Sequence, residues 1–211
     1  MTPRGRRLIS LALTALVVGV ARAEAQTVAA RQLGQPPATG TKWVVDPVHS
    51  QISFRVRHLV GRVQGTFVDW YGIIVTTDPD WTRGTVKVTA QTASLTTGNS
   101  YRDADLRSDR FFAVDIFPQL TFEGTGIVAT DSTVEIGGIL TIKGHARHVV
   151  LNGQFRGVAL DADGHQRIAF DASTHINRRD FGITWTDFVG ANTAIGDEVE
   201  ITIAIEAVRI S

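Results

Sequence analysis

From Trp43 onward the apolar residues recur at every second position, and that period restricts the fold more than any other feature of the chain. Ile52, Phe54 and Val56 alternate with Ser53, Arg55 and Arg57; Val86, Val88 and Ala90 with Lys87 and Thr89; Leu120 and Phe122 with Thr121 and Glu123. Val149 and Leu151, and later Ile201, Ile203 and Ile205, repeat the pattern. A strand turns successive side chains to opposite faces, so each run reads as a strand with one apolar and one wet face. Eight such strands are expected, near 43–58, 62–76, 84–94, 119–129, 133–143, 148–160, 166–176 and 197–209. Short turn signals join most of them, among them Thr130-Asp131-Ser132 and the hairpin dipeptide Asp163-Gly164. Consecutive one-sided antiparallel strands predict an all-β meander closed on itself, because closure leaves no exposed edge.

Two segments break the rhythm. The first, about 97–118, opens on the turn Gly98-Asn99 and a Ser100-x-x-Asp103 pair suited to capping a short helix, then carries Leu106, Phe111, Phe112 and Phe117. The second, about 177–190, holds Phe181, Trp185 and Phe188. So many rings do not belong in exposed loops, and both segments are expected to fold over the barrel as lids. The inward positions of the strands are mostly modest in size, which suits a roomy tube capped by aromatics. A filled core of the same composition reads alike, so the pattern leaves cavity and packed interior both open.

Residues 1–25 have the form of a cleaved signal peptide: Arg4, Arg6 and Arg7, then a largely apolar run from Leu8 to Val20, then small-x-small sites ending at Ala25. That run is too short for the ~20 residues a membrane-spanning helix needs. Residues 26–42, rich in Gln, Ala, Thr and Gly with Pro36-Pro37, are expected to be a flexible leader, and all 16 aromatic residues follow it. The folded domain is therefore 43–211, and the expected location is periplasmic or secreted. The 21 basic and 21 acidic residues balance in the whole chain; without residues 1–25 they become 17 and 20, about −3. Such a charge lacks the basic footprint of a nucleic-acid binder. With no cysteine, disulfides, thiolate catalysis and cysteine metal sites are excluded.

The catalytic patterns are missing too: no nucleophile elbow, phosphate-binding loop, zinc-protease helix or dinucleotide fingerprint occurs, so no catalytic residue, metal or cofactor is assigned. His49 and His58, nine apart on opposite faces of one regular strand, cannot jointly hold a metal without a bulge, and His145-x-x-His148 reads more simply as a solvated turn. Asp161-x-Asp163-Gly164 is better explained as a hairpin than as part of a calcium loop. His58 shares the apolar parity of Ile52, Phe54 and Val56, which fits either a core histidine or a polar contact inside a cavity. Arg102, Asp103, Arg107 and Asp109 form a charged cluster whose default reading is a solvated or docking helix face.

Several motifs in fixed order resemble one family. Asp46-Pro47-Val48-His49-Ser50 precedes the first alternating run; Gly65-Thr66-Phe67, Trp70, Gly72 and Ser94-Leu95-Thr96-Thr97 follow. Arg102-Asp103-x-x-Leu106, Phe111-Phe112-x-Val114-x-x-Phe117-Pro118, Gly138-x-Leu140-Thr141-Ile142-Lys143-Gly144 and Asn177-Arg178-x-Asp180-Phe181-Gly182-Ile183 complete the series. Over about 43–209 the chain is similar to the YceI-like proteins, exported bacterial proteins with a lipocalin-like barrel that bind polyisoprenoids or similar amphiphiles. It departs from the family pattern at Asp105, Arg110 and Ala113, and after Lys143-Gly144. The resemblance implies an eight-stranded lipocalin-like barrel that sequesters or transports a long-chain lipid, without catalysis. It implies transient membrane contact, and a homodimer. Ile52, Phe54, Val56, Phe67, Val88, Phe122, Leu140 and Phe170 become candidate tube lining. Phe111, Phe112, Phe117, Phe181 and Trp185 become candidate lid residues, and His58 and Arg102 candidate polar contacts. The rival readings are an enzyme or redox accessory acting on an isoprenoid quinone, and a ligand-free stress-response module.

Overall fold

A computed structural model describes residues 40–77, 83–130, 132–189 and 192–210. The expected signal peptide, all but the end of the leader, Asp131 and the side chain of Phe188 lie outside them.

The alternating runs form strands β1 (Thr41–Val45), β2 (Gln51–His58), β3 (Gly61–Phe67), β4 (Trp70–Thr76), β5 (Thr85–Gln91), β6 (Leu95–Thr96), β7 (Gln119–Ala129), β8 (Thr133–Ile142), β9 (His145–Leu160) and β10 (Gln166–Asn177). A two-stranded ribbon, β11 (Phe188–Val189) and β12 (Asn192–Thr193), precedes β13 (Ile195–Arg209), and the one α-helix among the described residues, α1 (Ser100–Arg107), follows β6. All pairings are antiparallel, in the order β1-β4-β5-β7-β8-β9-β10-β13, and β13 pairs back to β1. This is a closed eight-stranded antiparallel barrel. The first expected strand is β1 and β2 together, since both pair with β13: Val45 opposite Ala207, Ile52 opposite Ile203. The second is β3 and β4, and β6 continues β5 past a 3-10 turn at Thr92–Ser94 to pair with β3.

The bend between β1 and β2 has a local cause. Pro47 offers no N–H to the ladder, so pairing must stop there. Asp46 accepts from the Val48 amide (2.9 Å), and the Ser50 hydroxyl bridges the gap, donating to Glu206 O and accepting from Glu206 N. Arg167 of β10 then joins three carboxylates: Asp46 (2.9 Å), Asp161 (2.9 Å) and Glu206 (2.6 Å). One guanidinium thereby ties the β1–β2 corner, the β9–β10 hairpin and β13 at the seam where the barrel closes.

The two ends of the barrel differ. At the end holding the β7–β8 and β9–β10 turns, Trp43, Ile127, Val134, Ile168 and Ala207 are buried and fill the interior. Trp43 satisfies its indole N–H on Thr76 Oγ1 (3.1 Å). Both irregular segments lie at the opposite end. There α1 begins one residue earlier than the expected Ser100 cap, with Asn99 accepting from the Arg102 amide (3.0 Å). Asp103 is unavailable for a capping box because it is buried and accepts from the Thr97 amide and the Thr96 and Thr97 hydroxyls. Arg107 donates to Ala93 O and Leu95 O, so Asp103 and Arg107 both dock the helix onto the 92–97 segment.

Candidate functional site

Above the filled end the barrel is hollow, enclosing a cavity of about 540 Å³. That lies within the ~300–1,000 Å³ of small-molecule sites. The wall residues Ile52, Phe54, Val56, Phe67, Val88, Phe122, Leu140 and Phe170 all face it, as do Phe111, Phe112, Phe181 and Trp185 of the two lids. His58 and Arg102 sit on its rim. Phe117 departs from the sequence expectation: it does not face the cavity but packs against Gly144, and its carbonyl accepts from the Thr92 hydroxyl (2.7 Å). Ala113, at φ +48°, turns the chain just before it, and the Phe117 amide bonds back to Ala113 O (2.9 Å). The ring thus serves the loop's own packing.

Four phenylalanines project into the tube from its strands, yet it stays open, because glycines recess two of the rings. Phe54 lies over Gly65, its direct cross-strand partner; a Cβ there would fall 2.4 Å from the ring. Phe122 lies over the paired glycines Gly124 and Gly138, with a Cβ at Gly138 only 2.6 Å away. The rings therefore lie along the wall instead of across the bore. Phe54, Phe67 and Phe112 form a chain with centroids 5.8 and 6.0 Å apart, continuous from wall to lid.

The lids also hold each other. Trp185 of the second segment packs against Phe111 with the rings tilted (5.2 Å between centroids), and the Arg110 guanidinium lies over the same indole (4.9 Å) while pairing with Asp105. Beneath them Arg178 is 4% exposed and donates to Ile183 O (2.7 Å), Trp185 O (2.7 Å), Gly196 O (2.9 Å) and Asp197. Burial pushes its pKa down, opposed by the Asp197 charge. The arginine pins the second lid to β13. It also borders the cavity, but its donors are committed to backbone and carboxylate. At the first lid burial works against the Asp103 carboxylate, but the Thr97 and Thr96 hydrogen bonds outweigh it and hold its pKa below the ordinary value. Arg102 donates to the Thr97 hydroxyl (2.8 Å) and carbonyl (3.2 Å), so its rim position is fixed by the same segment.

Sequence reasoning missed part of the wall. Val63, Ile136, Leu151, Ile201, Ile203 and Ile205 also face the cavity, and extending the alternation strand by strand would have found them. Tyr101, Asp105 and Arg178 carry no such signal. The histidines are dispersed: His49 bonds Asp46 at the filled end, His145 packs on Gly182, and His148 lies near Gly137. Among the described residues two groups have metal-ligand composition, Asp46/His49/Glu206 and Asp161/Asp163/His165. In the first, Arg167 already supplies a cation to both carboxylates. In the second, Asp161 accepts from the Asp163 and His165 amides and from Arg167, closing the hairpin.

A closed antiparallel barrel, filled at one end, apolar within and lidded at the other, defines the lipocalin-like class of hollow barrels. The chain belongs to the YceI-like family: residues 43–207 match the YceI-like domain. It is 35% identical to protein YceI of Salmonella arizonae over 162 residues, 76% of this chain and 82% of that one. Among solved structures, the Campylobacter jejuni YCEI protein is 31% identical with a TM-score of 0.64, covering 74% of this chain and 90% of that one. Burkholderia cenocepacia BcnA (22% identity, TM-score 0.66, 77% and 98% coverage) has the same fold. So does a polyisoprenoid-binding domain from Saccharophagus degradans (13% identity, TM-score 0.62, 80% and 98% coverage).

Proposed function

We propose that the protein is an exported carrier that encloses the apolar tail of a long-chain amphiphile, a polyisoprenoid or similar lipid, without a catalytic step. The observation that carries this reading is the cavity itself: apolar from wall to lid, with His58, Tyr101, Arg102 and Asp105 gathered at the open end. A tail fits the first part and a polar head the second. The polyisoprenoid-binding domain of the same fold supports the choice of ligand class. The signal-like residues 1–25 support export.

Each buried methylene is worth about 0.8 kcal/mol, so a five-carbon isoprene unit costs roughly 4 kcal/mol to expose to water. Unaided transfer through an aqueous compartment is therefore prohibitive. The barrel competes with membrane, not with water, so tail burial permits carriage while rim contacts and lid closure set selectivity. The enzyme alternative has less support: among the histidines, His58 alone borders the cavity, and no second titrating group of the described residues is bonded to it.

Organic extraction of the purified protein followed by mass spectrometry tests the reading. A stoichiometric long-chain lipid is expected. Repeated recovery of none, together with no uptake of added prenyl lipid, overturns it.

A further inference from the structure

The β2–β3 turn stands at the open end of the barrel beside the cavity rim, since His58 and Val63 face the cavity on either side of it. Its tip is Leu59-Val60, with Leu59 43% exposed and Val60 fully exposed. Tyr101, 89% exposed, lies on the same rim. Directly behind the tip Arg57 and Arg62 are cross-strand partners on the outer face. Like charges in directly opposite positions destabilise a strand pair. Among the described residues neither arginine forms an ion pair with a carboxylate, and from Pro47 to Val68 the chain has no acidic residue. Two acids of β13 are engaged elsewhere, Glu200 by Arg55 and Asp197 by Arg178 and Arg179.

The tip is also held in place. The Leu59 amide donates to Ala194 O (2.7 Å), Leu59 itself takes the left-handed conformation (φ +51°), and Arg57 donates to Leu59 O (3.1 Å) and Thr193 O (3.3 Å). A valine is thus fixed in water above two guanidinium groups that no ion pair among the described residues engages, although Glu198 of β13 lies exposed nearby in the sequence of the same ladder. One surface satisfies both features at once: an anionic bilayer, where an apolar tip enters the acyl boundary and the arginines meet lipid phosphates.

We infer that the β2–β3 turn docks the open end of the barrel on an anionic membrane, so that a lipid tail passes between bilayer and cavity with little exposure to water. The inference rests on the carrier reading for its purpose, but the docking itself is separately measurable. Arg57, Leu59, Val60 and Arg62 are not part of the cavity wall.

The test is cosedimentation of the purified protein with phosphatidylglycerol/phosphatidylcholine vesicles and with pure phosphatidylcholine vesicles, at low and high salt. The wild type is expected to prefer the anionic vesicles and to release with salt. Val60→Asp/Arg62→Glu is expected to lower the partition by roughly tenfold or more, given the contribution of each basic residue near an anionic surface. Its circular dichroism and thermal midpoint are expected to match the wild type. Equal binding to both vesicle types, no binding, or undiminished binding by the double variant overturns the inference. A protein partner cross-linked at residue 60 without any vesicle affinity does the same. Absence of retained lipid in the wild type removes the carrier reading while leaving the vesicle result to stand by itself.

Discussion

Gly65→Ala tests the idea that glycine recesses set the bore of the tube. The new Cβ would sit 2.4 and 2.7 Å from Phe54 ring atoms and 3.0 Å from the Thr97 methyl, all side-chain neighbours. To restore ordinary contact at ~3.5–4.0 Å the ring must move by about 1.1–1.6 Å. The free space available to it is the cavity. Folding suffers little: overpacking costs ~1–3 kcal/mol in a dense core, less beside a hollow, and alanine recovers about 0.5–1 kcal/mol over glycine in a strand. The bound tail loses the room of one or two methylenes, about 0.8–1.6 kcal/mol, or roughly 4- to 14-fold in Kd. Displacement of a fluorescent long-chain probe measures the affinity, and denaturant unfolding measures stability. An unchanged Kd, or a stability loss above about 3 kcal/mol, refutes the argument. Gly138→Ala is the contrasting case, because its Cβ also meets the Glu123 carbonyl at 2.7 Å, which cannot swing aside; there stability is expected to fall first.

Phe54→Asp places a carboxylate in the apolar wall and is expected to abolish lipid retention or folding; unchanged lipid content by mass spectrometry would show that residue 54 does not face the guest. Arg178→Met leaves three carbonyls without their donor and is expected to cost about 3–5 kcal/mol in denaturant unfolding, with a loss below about 1 kcal/mol counting against the pinning role. Arg167 and then His49 hold the Asp46 carboxyl well below the usual range, and Arg167 likewise holds Asp161 down. A depressed carboxylate pKa stabilises the fold above its unfolded value, near 4, and that contribution is lost as the pH falls below it. Thermal midpoints should therefore drop in acid for the wild type, whereas Arg167→Met should be less stable at pH 7 and respond less below pH 4; parallel profiles would contradict this.

The strands were legible because one face of each meets water. Period two marks each of the eight barrel strands, and the Phe54, Phe122 and Ile201–Ile205 parity gives the inner face directly. Periodicity does not mark where a strand bends: 43–58 reads as one run although Pro47 divides it, and only the pairing of both halves with β13, bridged by Ser50 and Glu206, shows that they share a neighbour. The lids were visible as misplaced rings, but ring content cannot distinguish Phe112, which meets Phe67 across the cavity, from Phe117, which packs beside Gly144. Arg178 and Asp103 were hidden for a different reason. Charged residues are read as solvated by default, and their burial depends on carbonyls and hydroxyls that only the folded chain brings together.

The seam of the barrel sets how the molecule can be handled from outside. The Lys42 carbonyl of β1 accepts from the Ile210 amide (2.9 Å), so both ends of the described barrel leave side by side beneath the Trp43 floor, at the pole opposite the lids. A tag, linker or solid support joined directly to the folded domain at either point therefore leaves from the pole opposite the lids. Molecules immobilised there would all turn their lids to the medium, and a sensor built on this scaffold needs no internal insertion to be oriented.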